Sequence, residues 1–180
     1  MRVTVFGSAM PKPEETAYQT ALTLGQILAK EGHTVITGGY GGTMEAASRG
    51  AAEAGGHVIG VTCAEIARWR KLSANAWVKE EWCRQTLHER LSTLIDSCQA
   101  ALALPGGVGT LLEVCMMWNL LVIKAISPRP LILIGPGWKT TLQSFLEEQG
   151  QYVLEEDRQW LSFVDTAEEA AAKLHQKLIL

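Results

Sequence analysis

The residues best suited to chemistry lie in a glycine-rich stretch, LPGGVGTLLE, at residues 104–113. Its glycines let a ligand approach the backbone without meeting a Cβ atom, and Thr110 adds a hydroxyl group where a helix is expected to begin. The free N–H groups and positive dipole end of such a helix suit a phosphate. The stretch therefore predicts a phosphate site at Gly106, Gly107, Gly109 and Thr110, although the same glycines could simply turn the chain.

Glu113 follows Thr110 by one helical turn, close to the expected anion. A carboxylate in that place could stabilise the positive charge that develops on a sugar carbon during glycoside cleavage, and orient the attacking water. The alternative is an ordinary solvated glutamate, because acidic residues suit the first turn of a helix. A cation must offset its repulsion of the phosphate, and Arg84 and Arg90 are the candidates just upstream.

Two further glycine-bearing loops are expected to meet the first one. FGSA at residues 6–9 and TGGYGGT at residues 37–43 each follow a short apolar run. The candidate ligand contacts in these loops are Gly7, Ser8, Gly39, Gly41, Gly42 and Thr43. GxGxxG spacing and the Walker Gly-Lys-Ser/Thr pattern are both missing, which disfavours a dinucleotide oxidoreductase and an NTPase.

The elements that must position these loops alternate between short apolar strands and helical patterns. Strands are predicted at residues 3–6, 34–37, 57–61, 100–103, 131–134 and 161–164. Helices are predicted at residues 14–30, 43–54, 82–98, 110–124 and 139–148, and from residue 165 or 166 onward. This alternation predicts an α/β protein with a Rossmann-like, doubly wound parallel sheet in three αβα layers, forming a single domain over residues 1–180.

In such a sheet the three glycine loops share the carboxyl edge, where ligands bind. Residues 62–81 show no clean period and are expected either to cover this site or to form a plain connection anchored by Trp69 and Trp77.

The composition restricts the function classes. A net charge of −3 and a pI near 5.8 argue against a broad nucleic-acid or membrane surface. The four cysteines form no CxxC pair and are expected in the core of a cytoplasmic protein, and the four histidines form no ligand cluster, so no metal site is predicted. The N-terminus lacks the apolar core of a signal peptide.

Several motifs carry a family resemblance. PGGVGTLLE at residues 105–113 matches PGGxGTxxE and resembles the signature of the Lonely Guy (LOG) family, the cytokinin-activating phosphoribohydrolases once labelled possible lysine decarboxylases. TGGYGGTMEAASRGA at residues 37–51 is similar to that family's second glycine-rich segment. LHERLSTL at residues 87–94 resembles the helix with its MHxRK-type sequence, and residues 6–9 fall at its first ligand loop. The resemblance spans roughly residues 1–135.

The resemblance implies a hydrolase that cleaves the N-glycosidic bond of N6-modified AMP, or of a related nucleoside 5′-monophosphate, to free base and ribose 5-phosphate. It implies a Rossmann-like homodimer that needs no cofactor. Arg90 and Glu113 would be the catalytic pair, and the glycine-loop amides with Thr110 would hold the 5′-phosphate. The molybdenum cofactor carrier, a relative in the superfamily, suggests the alternative of a protein that binds a phosphorylated ligand without cleaving it. Leu91 in place of the usual Lys and Tyr40 in place of a common Gly keep that alternative open.

The helix predicted at residues 110–124 is apolar nearly all round, and the sheet can cover only one side of it. We expect a second copy of the chain to pack on this helix, including Trp118, in a twofold dimer. The alternative is that residues 82–98 and the C-terminal helices cover it.

Overall fold

The computed structural model describes residues 1–70 and 73–179. Within these residues seven parallel strands form one sheet: β1 (Arg2–Phe6), β2 (Thr34–Thr37), β3 (Val58–Cys63), β4 (Glu80–Arg84), β5 (Ala100–Ala103), β6 (Leu131–Ile134) and β7 (Leu161–Val164). Their order across the sheet is β4-β3-β2-β1-β5-β6-β7. The chain moves from β1 to the β4 edge, returns to β5 beside β1, and continues to the β7 edge. The winding direction therefore reverses between β1 and β5, where doubly wound proteins bind ligands.

Eight α-helices of the described residues cover both faces of the sheet: α1 (Thr16–Lys30), α2 (Thr43–Glu53), α3 (Ala64–Arg70), α4 (Leu87–Asp96), α5 (Val108–Val122), α6 (Pro136–Gln149), α7 (Glu155–Arg158) and α8 (Ala167–Ile179). On one face α1, α2 and α8 pack against Val3, Val35 and Leu102. On the other face α4, α5 and α6 pack against Phe6 and Ile36. The predicted three-layer α/β fold is confirmed.

The strand predictions succeed where the chain is apolar and buried on both sides. The strands predicted at residues 34–37, 100–103, 131–134 and 161–164 coincide with β2, β5, β6 and β7, while the bounds of β1 and β3 differ from the prediction by one or two residues. A short, continuous apolar run is expected of a parallel strand that has helices on both faces. All four residues of β5, for example, are fully buried.

The prediction of one helix over residues 82–98 is wrong at its start. Residues Glu80–Arg84 form β4, a largely exposed edge strand that pairs with β3. The helix begins only at Leu87, because Thr86 closes a capping box: its hydroxyl accepts from the N–H of Glu89, whose carboxylate accepts from the N–H of Thr86. The charged sequence of β4 does not show the apolar pattern of a strand. Its register is instead set by its pairing with β3.

Residues 62–81, predicted to be irregular, contain more regular structure than their sequence indicates. The end of β3 and the whole of α3 fall inside this segment. Lys71 and Leu72 lie outside the described residues. Further along, Asn75 donates its backbone N–H to the carbonyl of Gly39 at 2.8 Å, which ties the segment to the second glycine loop.

One side of α5 faces the core and the other faces solvent. Trp118 is 8% exposed, and its indole N–H donates to the carbonyl of Asp157 at 2.9 Å. Its ring meets Phe145 edge-on at 6.4 Å between centroids. The expectation that Trp118 faces a second copy is therefore wrong, since its own chain covers it. The exposed side carries Val108, Leu111, Leu112 and Cys115.

The cysteines divide between core and surface. Cys63 and Cys98 are buried, whereas Cys83 on the edge strand and Cys115 on α5 are exposed, so the expectation of a core position is wrong for the latter two. Across residues 1–70 and 73–179, no helix has the length and apolar character needed to cross a membrane.

Candidate active site

Three glycine loops meet at the carboxyl edge of the neighbouring strands β2, β1 and β5. A cavity of about 520 Å³ opens there, a volume suited to a small-molecule ligand. The predicted site residues that line it are Gly7, Ser8, Arg90, Gly107, Gly109, Thr110 and Glu113. Residues that are distant in the chain thus converge as the parallel topology requires.

The other predicted residues shape the loops instead of lining this cavity: Gly39, Gly41, Gly42, Thr43 and Gly106. Thr43 is fully buried, and its N–H and hydroxyl both donate to the carbonyl of Ser8, at 2.8 and 3.1 Å. Gly42 has a φ of 67°, and a Cβ atom there would strike the backbone of the first loop. A Cβ atom on Gly106 would strike the side chain of Thr110. The role of these residues as ligand contacts stays a prediction.

The start of α5 offers hydrogen-bond donors to the cavity. Gly107 is the N-cap residue and has no side chain with which to satisfy the first N–H groups of the helix. A Cβ atom on Gly107 or Gly109 would meet open space, so a ligand can approach the backbone closely. Thr110 is only 3% exposed and places its hydroxyl in the first turn. These features form a polar cradle of the kind that binds phosphate.

Arg90 is buried on the opposite wall, with 6% of its surface exposed. Its Nε donates to the carbonyl of Val61 at 2.8 Å, and its Nη2 donates to the carbonyl of Gly38 at 3.2 Å. Two hydrogen bonds, one to Val61 within β3 and one to Gly38 just after β2, therefore fix the plane of the guanidinium group. Arg84, the other candidate cation, instead donates from Nε to the hydroxyl of Thr93 at 2.8 Å and does not line the cavity.

Glu113 faces this guanidinium group from α5. Its Oε1 lies 3.7 Å from Nη1 of Arg90, and the residue is 6% exposed. Burial raises the pKa of Glu113 from 4.5 to about 7, and the positive charge of Arg90 opposes that rise only in part. Glu113 is therefore not the solvated first-turn glutamate of the alternative: α5 begins at Val108, so Glu113 lies in the second turn, and it is buried. A buried carboxylate that titrates near neutral pH is typical of a functional site.

The remaining walls of the cavity come from residues that were not predicted from the sequence as ligand contacts: Ala9, Met10, Tyr40, Met44, Glu65, Ile66, Trp69, Leu87 and Val108. Three of them lie on α3, so the predicted covering role of residues 62–81 agrees with the position of that helix beside the cavity. A seven-residue helix is too short to show a clear period, which explains why its sequence gave no signal.

The doubly wound parallel sheet, with its glycine loops at the switch point, defines a Rossmann-like α/β protein with a candidate small-molecule site. The chain belongs to the LOG family, because residues 1–158 match the model of the SLOG cluster4 family and curated LOG proteins are about 30% identical to it.

The sequence relatives support this family assignment, and a solved structure supports the fold. The chain is 31% identical over 184 residues to the cytokinin riboside 5′-monophosphate phosphoribohydrolase LOG4 of Arabidopsis thaliana, an alignment that covers 97% of this chain and 82% of that protein. It is 33% identical over 118 residues to the cytokinin riboside 5′-monophosphate phosphoribohydrolase of Mycobacterium marinum, an alignment that covers 65% of this chain and 62% of that protein. Its fold is similar to that of the molybdenum cofactor binding protein from Rippkaea orientalis, with a TM-score of 0.77 and 23% sequence identity. This comparison covers 99% of this chain and 97% of that one.

Proposed function

We propose that this protein is a phosphoribohydrolase that cleaves the N-glycosidic bond of AMP, N6-modified AMP or a related nucleoside 5′-monophosphate. The observation that carries the proposal is the buried Arg90–Glu113 pair, which lies in one cavity with the donor-rich start of α5. A phosphate cradle beside a buried carboxylate suits a substrate that has its phosphate and its reacting carbon on the same sugar. The names of the relatives from Arabidopsis thaliana and Mycobacterium marinum support the same reaction.

In the proposed reaction the 5′-phosphate accepts hydrogen bonds from the backbone N–H groups at Gly107 and Gly109 and from Thr110. The ribose then lies toward Glu113, one turn further along α5. As the bond to the base lengthens, positive charge develops at C1′ and on the ring oxygen, and the carboxylate of Glu113 stabilises it. Water adds its OH to C1′ and its proton ends on the departing base, so the reaction balances without a cofactor.

Arg90 has an electrostatic role in this scheme. The substrate phosphate and Glu113 are both anionic, and the guanidinium group between the strand ends offsets their repulsion. Because two of its nitrogens already bind the carbonyls of Val61 and Gly38, it acts from a fixed position and does not need to reorganise during the reaction.

The second candidate is a carrier that binds a phosphorylated ligand such as molybdenum cofactor without cleaving it. The whole-chain fold similarity to the protein from Rippkaea orientalis favours this candidate. A carrier, however, has no need of a carboxylate buried to 6% exposure beside the ligand phosphate, which would weaken binding. The hydrolase reading therefore explains more of the site.

The test is a screen of nucleoside 5′-monophosphates for release of ribose 5-phosphate. We expect release from at least one adenine-type monophosphate and none from the matching nucleoside, because the nucleoside lacks the anchoring phosphate. Glu113→Gln keeps the shape of the side chain and should lower kcat by about 100-fold or more. Glu168→Gln, an exposed first-turn change on α8, is the control and should leave kcat unchanged. Full turnover by Glu113→Gln would reject the catalytic assignment, and tight binding of a pterin phosphate without cleavage of any nucleotide would favour the carrier.

The proposal includes a homodimer that packs through α5. Val108 is 85% exposed, Leu112 is 45% exposed and Leu111 is 37% exposed, so three large apolar side chains at the start of α5 face solvent. Val108 also lines the cavity, so a second copy on this face would lie at the cavity mouth. Apolar side chains grouped in this way are typical of interfaces between protein subunits.

A further inference from the structure

Tyr40 connects the second glycine loop to the end of β3. It is 4% exposed, and its hydroxyl donates to the carbonyl of Cys63 at 3.1 Å while accepting from the N–H of the same residue at 2.9 Å. Cys63 is the last residue of β3, and α3 begins at the next residue. One side chain therefore satisfies both the backbone N–H and the backbone carbonyl of the fully buried Cys63, at the point where the chain leaves the sheet to form a wall of the cavity.

The backbone of Tyr40 is also held in place. The side-chain amide of Asn75 donates to the carbonyls of Gly39 and Tyr40, at 3.1 and 3.0 Å. Gly39 has a φ of 77° and Gly42 has a φ of 67°, so the turns on both sides of Tyr40 use a conformation that favours glycine. The residue thus has little freedom to move relative to the sheet.

The ring of Tyr40 supports the catalytic arginine. Cζ of Arg90 lies 5.6 Å from the ring centroid, within the range of a cation–π contact. Nε and Nη2 of the same guanidinium group donate to the carbonyls of Val61 and Gly38. The two carbonyls and the ring together hold the guanidinium group, with Nη1 at 3.7 Å from Oε1 of Glu113.

We propose that Tyr40 is a positioning residue of this site: its ring holds Arg90 against Glu113, and its hydroxyl holds the start of α3 and with it a wall of the ligand cavity. The proposal rests on the proposed function, since it assigns Tyr40 to the same reaction. It goes beyond that function by separating two tasks within one side chain. The ring acts on the chemical step through Arg90, whereas the hydroxyl acts on ligand binding through α3, which carries Glu65, Ile66 and Trp69 into the cavity lining.

Two variants separate these tasks. Tyr40→Phe keeps the ring and removes the hydroxyl, so kcat should stay within about threefold of wild type while KM rises several-fold. Tyr40→Leu removes both, so kcat should fall by at least about tenfold, which corresponds to the loss of a buried cation–π contact. Tyr40→Met serves the same purpose if Tyr40→Leu does not fold.

A pH profile of kcat distinguishes positioning from a general loss of stability. Arg90 is the charged group that faces Glu113 from α4, and Glu65 and Tyr40 are the other titratable groups of the cavity lining. An Arg90 that is no longer held lowers the pKa of Glu113 less, so the effect of burial on that pKa is less well offset. The midpoint of the profile should therefore move to higher pH in Tyr40→Leu and stay in place in Tyr40→Phe. A merely structural role would lower the amount of folded protein without moving the midpoint.

An NMR measurement tests the proposal even if no nucleotide is cleaved. The Nε–H signal of Arg90 should be well resolved and protected from exchange in wild type and in Tyr40→Phe, and should exchange fast in Tyr40→Leu. Arg90→Lys, which lacks this signal, supplies its assignment. Retention of the protected signal in both Tyr40→Leu and Tyr40→Met would overturn the proposal. An equal fall of kcat in Tyr40→Phe and Tyr40→Leu would overturn the division of tasks. Absence of turnover in wild type with the expected NMR result would reject the hydrolase function alone.

Discussion

Nη1 of Arg90 lies 3.7 Å from Oε1 of Glu113, and both side chains are more than nine-tenths buried. This separation is too long for a hydrogen bond, so the two groups attract each other without sharing a proton. The other nitrogens of Arg90 are committed to the carbonyls of Val61 and Gly38, which prevents a closer approach. Burial therefore destabilises the anionic form of Glu113 more than Arg90 stabilises it, and the pKa of Glu113 rises to about 7 although a cation lies beside it.

The first prediction concerns the pH dependence of catalysis. In the proposed reaction the anionic form of Glu113 stabilises the positive sugar, and burial raises the pKa of this carboxyl group to about 7. The activity kcat/KM should therefore rise with pH and reach half of its plateau near pH 7. Arg90→Gln removes the positive charge that partly offsets the upward shift of the Glu113 pKa, so the residual activity should have its midpoint at higher pH. Initial rates measured across the pH range provide the test, and a midpoint near that of an exposed glutamate would contradict it.

The second prediction concerns stability. The pKa of Glu113 is raised in the folded state, from 4.5 to about 7, so the folded protein binds the proton more tightly than the unfolded chain does. The stabilising contribution is thus fully present below pH 4.5 and is lost as the pH rises through about 7. Relative to Glu113→Gln, wild type should lose about 3 kcal/mol of unfolding free energy across this window. Urea denaturation of both proteins over the window measures the difference, and a constant difference would refute it.

The third prediction concerns the phosphate cradle. Gly107 has an extended backbone, and a Cβ atom there would meet open space, so Gly107→Ala should fold with unchanged stability. The added methyl group would occupy space needed by the phosphate, and KM for the monophosphate should rise by about tenfold or more, equivalent to roughly 1.4 kcal/mol. Gly137→Ala on α6 is the matched control, because its Cβ atom also meets open space, and it should leave KM unchanged. A lower thermal midpoint for Gly107→Ala would show that the effect is structural.

The sequence was sufficient for the parts of the site that depend on backbone geometry. Glycine loops after apolar runs predicted a shared carboxyl edge, and the start of α5 was predicted within two residues. The identity of the cation that faces Glu113 was more difficult. By distance in the chain Arg84 and Arg90 were equally plausible, and only the family resemblance favoured Arg90. In the structure Arg84 ends β4, a strand that the sequence did not reveal, whereas Arg90 lies on α4.

The pKa of Glu113 and the role of Tyr40 could not be predicted, because both depend on tertiary burial. A glutamate near the start of a helix is usually solvated, and the sequence alone does not show that Glu113 is buried to 6% exposure. From the sequence, Tyr40 was noted only as a departure from the family's glycine-rich segment, with no role assigned to it. Its bonds to Cys63, 23 residues away, follow from the pairing of β2 with β3 and the burial of that loop.

The last prediction concerns the dimer. Because Trp118 packs within its own chain, a charge at that position would damage the core, and the informative residue is Leu112, which is 45% exposed on the opposite side of α5. Leu112→Glu should convert a dimer into a folded monomer, because a charge placed in an apolar interface has to be desolvated. Leu178→Glu is the control: Leu178 is also 45% exposed, but it lies on α8, which packs on the other face of the sheet. Light scattering gives the mass of each species and circular dichroism confirms its fold. If wild type and Leu112→Glu have the same mass, the exposed side of α5 is not the interface. If Leu178→Glu separates the subunits instead, the interface lies on α8.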